Sequence, residues 1–163
     1  MKGKRWRWSL AAVVCVGLLA AGLLYWRSSW EGGSQPAGRP QPLDARAVAQ
    51  GKVIYQANCA ACHGAQGEGA PNWREQNPDK TYPPPPHDST GHTWHHADGL
   101  LSRIVRDGGS FLEDPGFKSN MPAFGERLSA EDIRAVITYL KTLWGPHEQA
   151  FQAEVSREDP FPP

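Results

Sequence analysis

Cys59-Ala60-Ala61-Cys62-His63 is the stretch from which the rest of this chain can be read. Two thiols three residues apart, followed at once by an imidazole, have the spacing of a c-type haem attachment site. In that chemistry each thiol adds to one vinyl group of a single porphyrin, and the adjoining imidazole offers a ring nitrogen to the iron. A C-x-x-C pair has two other readings. A thioredoxin-like dithiol sits in a βαβ surround, and a zinc site needs a second pair of ligands. Neither pattern is present, because the one other cysteine, Cys15, lies far upstream in an apolar run. Cys59 and Cys62 are therefore assigned as covalent haem sites, and His63 as an axial ligand.

Just upstream, Asp44 is positioned to cap a helix from Ala45 to about Asn58, ending at the first cysteine. Val48, Gly51 and Tyr55 share a face of it, and Gly51 permits the close approach of another helix. Downstream the chain is polar and rich in glycine (Gly64, Gly67, Gly69) and then reaches Pro71. A loop here can return a backbone carbonyl to the second ring nitrogen of His63, fixing its tautomer and orientation. Pro71 is the expected source, with Ala70 or another carbonyl as alternatives. Pro83-Pro84-Pro85-Pro86 is a stiff polyproline run, read as an extended loop covering one side of the haem rather than as a docking strip.

The opposite face of the iron needs a ligand of its own. Met121 is the one methionine besides the initiator, 58 residues after His63. A lone methionine is ordinarily core filling, but a thioether is the usual second ligand beside C-x-x-C-H. Pro122 holds Met121 in extended backbone, which suits a fixed loop. Met121 is expected as the second axial ligand, and a thioether raises the reduction potential. The rivals are the histidines of His87-Asp88-Ser89-Thr90-Gly91-His92-Thr93-Trp94-His95-His96. Imidazoles suit copper and other divalent metals, so His87, His92, His95 and His96 also define an alternative, a copper-binding protein. The preferred reading leaves them as capping or packing groups at the haem edge, with Trp94 or one of the histidines hydrogen-bonding a haem propionate.

Two further helices complete an all-α pattern. Leu100, Leu101, Ile104 and Val105 have helical spacing within 97–107, stopped by Gly108-Gly109. Ser129 and Asp132 form a capping box in its acid form. Behind it Ile133, Val136, Ile137, Leu140, Leu143 and Trp144 make a buried stripe ending at Gly145-Pro146. Residues 147–163 are expected to be helical to about Val155 and then a mobile, proline-rich acidic tail.

The first 29 residues differ from everything after them. Lys2, Lys4, Arg5 and Arg7 precede 19 residues, Trp8 to Trp26, that carry no charge. As a helix these span roughly 28 Å, close to the hydrocarbon thickness. Tryptophans at both ends and the basic start fit an uncleaved, single-pass transmembrane anchor with its N-terminus inside. A cleaved signal peptide is the alternative, but Leu18-Leu19-Ala20 and its neighbours give no clear A-x-A site, and the apolar run is longer than a usual signal-peptide core. Residues 30–42 are rich in Gly, Pro, Ser and Gln and read as a flexible linker, leaving 43–146 as the haem domain. The net charge of zero divides unevenly: residues 43–163 hold 11 basic and 16 acidic side chains, a net of −5. An acidic domain argues against nucleic acid as a partner.

Taken together, Gly51 and Tyr55 ahead of the C-x-x-C-H stretch, Met121-Pro122-Ala123-Phe124, and Ile137-Thr138-Tyr139-Leu140-Lys141 resemble a class I cytochrome c across roughly residues 44–145. The resemblance implies one covalently attached haem c and a crossing of the first and last helices, with Gly51 and Tyr55 against Val136, Tyr139 and Leu140. The Gly-His-Thr-Trp-His-His segment is similar to a bacterial subgroup of membrane-tethered monohaem cytochromes. Such a protein carries single electrons on the periplasmic face of the inner membrane, between partners such as a quinol-oxidising complex or a terminal oxidase, and is not an enzyme. A haem sensor with a displaceable sixth ligand is a further alternative, opposed by Met121 on its proline-fixed loop. The long proline- and histidine-rich insert departs from the ordinary pattern of the family.

Overall fold

Asp44 fixes where the first helix starts. Its carboxylate accepts from the amides of Arg46 and Ala47 at 2.8 and 2.9 Å, covering two of the donors a helix N-terminus leaves over. The computed structural model describes residues 21–23, 25–26, 42–112 and 117–163, with backbone alone at 110 and 111. Residues 1–37 and 38–163 form separate units. In the first unit, residues 21–23, 25 and 26 are helical. Most of the proposed anchor and nearly all of the linker lie outside the described residues. Among those residues no helix is long and apolar enough to cross a membrane.

In the second unit α1 runs Ala45–Asn58, and α2, Ala60–His63, carries the second cysteine and the histidine. After an extended stretch and a 3-10 turn at Thr93–His95 come α3 (Asp98–Asp107), α4 (Ala130–Leu140) and α5 (Pro146–Val155). Within the described residues the only extended pairing is an isolated parallel bridge between Thr81 and Lys118. The fold is all-α, as expected.

The core is the crossing of α1 and α4. A side chain at Gly51 would run into the Ala135 carbonyl and come within 2.9 Å of the Tyr139 Cβ, so only glycine lets the two backbones meet. One turn on, the Tyr55 and Tyr139 rings pack 5.3 Å apart. Gln50 adds a hydrogen bond of 2.9 Å to Asp132. Asp132 is also part of the capping box that starts α4: Ser129 Oγ accepts from the Asp132 amide, and the Asp132 carboxylate accepts from the Ser129 amide. The predicted stripe on α4 is buried, with Val136 and Ile137 at 2% and 0% exposure. The α-helix ends at Leu140 rather than at Trp144, because Lys141–Leu143 tighten into a 3-10 turn. Trp144 is still buried, and its indole N–H donates to the His87 carbonyl at 2.7 Å.

The expectation of a mobile tail over 147–163 is corrected. Gln152 is 1% exposed and donates to the Asp98 carboxylate at 2.7 Å and to Ser156 Oγ at 2.8 Å. Lys141 Nζ reaches the same carboxylate at 2.7 Å. Farther on, Asp159 takes a bidentate hydrogen bond from Arg103 at 3.1 and 2.8 Å. Phe161 packs against the core, and Arg134 donates to the Pro162 carbonyl at 2.6 Å. Polar residues that a sequence pattern assigns to water are here satisfied by partners on α3 and α4, so the segment docks.

Candidate functional site

Between α1, α3, α4 and the polyproline loop lies a cavity of about 1040 Å³. The C-terminal end of α1 and α2 bring Cys59, Cys62 and His63 to it. From α3 come Leu101, Ile104 and Val105, and from α4 Val136, Ile137 and Leu140, making an aliphatic wall. Met121 lines the same cavity. Thus the residues singled out as two attachment points and two axial ligands converge on one chamber, although 62 positions separate the first from the last.

The cysteines are both free thiols. Burial, and secondarily the neighbouring Cys62, pushes the Cys59 thiol up to about 11. A reactive dithiol has its leading thiol pulled down towards neutrality, so the pair does not have the electrostatics of a redox catalyst.

His63 is oriented by a carbonyl, but not the one expected. Its Nδ1 lies 3.0 Å from the Pro85 oxygen. A carbonyl can only accept, so Nδ1 carries the proton and Nε2 keeps its lone pair for a metal. Burial lowers the His63 pKa, and the Pro85 hydrogen bond opposes that only in part. The ring is therefore a neutral donor at neutral pH. The assignment of this role to Pro71 is corrected: Pro71 is exposed and does not line the cavity.

What brings Pro85 there is the glycine loop. Gly69 donates to the His63 carbonyl at 2.8 Å, Ala70 to Pro84 at 2.9 Å, and His87 to the Gly67 carbonyl at 2.7 Å. These bonds lay the polyproline run along the loop that follows His63. Gly69 has φ +65, and a Cβ there would sit 2.6 Å from the Pro85 carbonyl carbon. Gly69→Ala should thus push the strip away and cost about 2 kcal/mol from the positive φ alone. Thermal unfolding measures that cost, and the fraction of chains bearing haem should fall with it. Beneath, the buried Tyr55 hydroxyl donates to the Gly64 carbonyl at 2.8 Å, and burial holds its pKa well above the usual phenol range.

Met121 is held at both backbone ends. Its amide donates to Ser119 Oγ at 3.2 Å and its carbonyl accepts from Gly109 at 3.0 Å. The next residues complete α3: Phe124 and Gly125 donate to the Val105 and Arg106 carbonyls, which the helix end would otherwise leave over. Gly108, at φ +80, lets this loop approach, since a Cβ would stand 2.8 Å from the Met121 oxygen.

The four histidines of residues 87–96 diverge. His87 stacks on His63 at 4.1 Å, and its Nδ1 lies 2.9 Å from Thr93 Oγ1. His92 stacks on Trp73, while His95 stacks on Trp94 at 3.6 Å. Among the described residues no three His, Cys, Asp or Glu side chains gather as a metal site. Trp94 does not line the cavity. It packs with His95, His147 and Phe151, and its buried indole N–H has no partner among the described residues. Trp73, which sequence reasoning left unassigned, lines the cavity instead.

These residues fit a haem: the chamber is walled by aliphatics and lined by the paired thiols, a tautomer-fixed imidazole and a methionine whose backbone is held at both ends. The comparisons with known proteins agree in kind. A family described as "Cytochrome c" matches residues 48–144. A protein described as "Cbb3-type cytochrome c oxidase subunit FixP", from Azorhizobium caulinodans, is 36% identical over 99 residues. That stretch is 61% of this chain but 30% of the relative, so the chain matches under a third of the relative's length.

Proposed function

This chain belongs to the class I c-type cytochromes, whose members carry covalently attached haem c, and from that premise we propose that it is a membrane-tethered carrier of single electrons. The observation that carries the reading is the meeting of Cys59, Cys62, His63 and Met121 on one cavity. When bound, the group supplies a one-electron couple between ferric and ferrous iron. The chain's own residues do the rest. Cys59 and Cys62 would hold the porphyrin by thioether bonds. His63, with its proton fixed at Nδ1 by Pro85, would offer Nε2 to the iron. Met121 would offer its sulfur. Two such ligands on a fixed frame would limit rearrangement on oxidation, and a thioether together with the aliphatic wall would raise the potential.

The apolar run from Trp8 to Trp26 would anchor the chain in a bacterial inner membrane, with residues 30–42 as tether and 43–146 in the periplasm. The likeness to a protein named as a subunit of a cytochrome c oxidase favours a terminal oxidase as partner, with a quinol-oxidising complex as the source of electrons. In this reading the chain catalyses no reaction of its own.

Anaerobic titration of the purified full chain tests this. One electron equivalent per haem should reduce it fully and reversibly, and carbon monoxide should leave the reduced spectrum unchanged. Rapid carbon monoxide binding would show a displaceable sixth ligand and favour the sensor alternative.

A further inference from the structure

We propose that residues 156–163 form a clasp that positions Met121 from outside the chamber, by holding α3, the helix on which the Met121 loop is built. Its effect on the iron rests on the reading of Met121 as a ligand.

Helix α3 is ten residues long and is tied to a different part of the chain at each end. At its C-terminal end the Val105 and Arg106 carbonyls accept from the Phe124 and Gly125 amides at 3.0 and 2.9 Å. Beside them the Gly109 amide donates to the Met121 carbonyl at 3.0 Å. The Met121 loop is thus fixed to the end of α3. At the N-terminal end Ala97 stands at the cap and has no side-chain acceptor to give. The clasp supplies what is missing. Asp98 donates its amide to Ser156 Oγ at 3.0 Å, and Gly99 donates to the Asp159 carbonyl at 2.8 Å. One turn on, Arg103 takes the Asp159 carboxylate in a bidentate pair at 3.1 and 2.8 Å. The fit is close: a Cβ at Gly99 would run into the Asp159 carboxylate and stand 2.8 Å from the Pro160 carbonyl oxygen.

The far end of the clasp is fastened to α4. Phe161 packs against the core, with the Arg134 guanidinium 4.9 Å and Lys141 Nζ 5.1 Å from its ring centre. Arg134 also donates to the Pro162 carbonyl. The segment therefore bridges α3 and α4, the two helices whose apolar residues wall the chamber. None of residues 156–163 lines that chamber, so the clasp is a positioning element that acts through α3. Without it α3 loses its N-terminal cap and the partner of Arg103. Its first turn frays, and the loop carried at its other end is held less tightly.

Imidazole titration of the ferric full-length protein, followed by loss of the sulfur-to-iron band, reads how readily Met121 is displaced. Removing residues 157–163 should tighten imidazole binding about tenfold, within the usual range for coupling between two sites, with covalent haem retained. Hydrogen exchange at the Phe124 and Gly125 amides should speed up in parallel, a readout that does not involve the iron. Gly99→Ala, which expels Asp159 without shortening the chain, should reproduce both effects. In the truncated chain the same substitution should add nothing, because the groups it collides with are gone. Unchanged imidazole affinity in both variants, unchanged exchange, or a Gly99→Ala effect as large in the truncated chain as in the full one would overturn the proposal. A wild type with no sulfur-to-iron band would instead remove the reading of Met121 as a ligand, and exchange would still decide whether the clasp holds the loop.

Discussion

Replacing both Cys59 and Cys62 by alanine abolishes covalent haem: the fraction of chains that retain haem after denaturation falls from nearly all to none. The cause is chemical, because among the described residues no other cysteine lines the cavity and each thioether needs a thiol. The consequence extends to stability. A chamber of about 1040 Å³ walled by Leu101, Ile104, Val105, Val136, Ile137 and Leu140 is too large for side-chain relaxation to close. A chain that never receives the group loses packing along both helices, so its yield should fall as well. The single variants should retain haem through one thioether, with a shifted absorption band in the pyridine complex.

The second large effect lies away from the iron. Gly51→Ala puts a methyl group against the Ala135 carbonyl and within 2.9 Å of Tyr139 Cβ, where neither backbone can give way cheaply. Helices α1 and α4 must separate. The expected cost is about 3 kcal/mol, a large share of a typical domain's stability, and the melting temperature should fall by about 10 °C. Val53→Ala, two residues on and 70% exposed, should be nearly neutral. The comparison separates a steric effect at the crossing from a general effect on helix α1. Because α1 delivers Cys59 and α4 forms one cavity wall, Gly51→Ala should also lower haem content.

Local chemistry was the legible part. Asp44, the Ser129–Asp132 box and the α4 stripe act through neighbours within a few residues, so helix positions follow from short-range patterns. The Gly51 crossing was legible through the resemblance to class I cytochromes c, since from the residues alone Gly51 said only that another helix could approach closely. Pro85 was not, since the carbonyl that meets His63 lies 22 residues away and its approach depends on Gly69 at positive φ. A glycine loop followed by a polyproline run was the available signal, and Pro71 drew it off because it lies nearer in sequence. Docking of residues 147–163 was hidden for another reason. Asp98, Lys141, Gln152 and Ser156 are each polar, and only their meeting makes them interior residues. Trp94 and Trp73 look equivalent in sequence, yet only Trp73 faces the cavity.

Met121, whose backbone is held by Ser119 and Gly109, is proposed to offer its sulfur to the iron beside His63. The near-infrared spectrum of the ferric full-length protein decides this. A weak sulfur-to-iron charge-transfer band is expected in the wild type and should be absent from Met121→Ala, with a lowered potential in the variant. An identical near-infrared spectrum in Met121→Ala would contradict it.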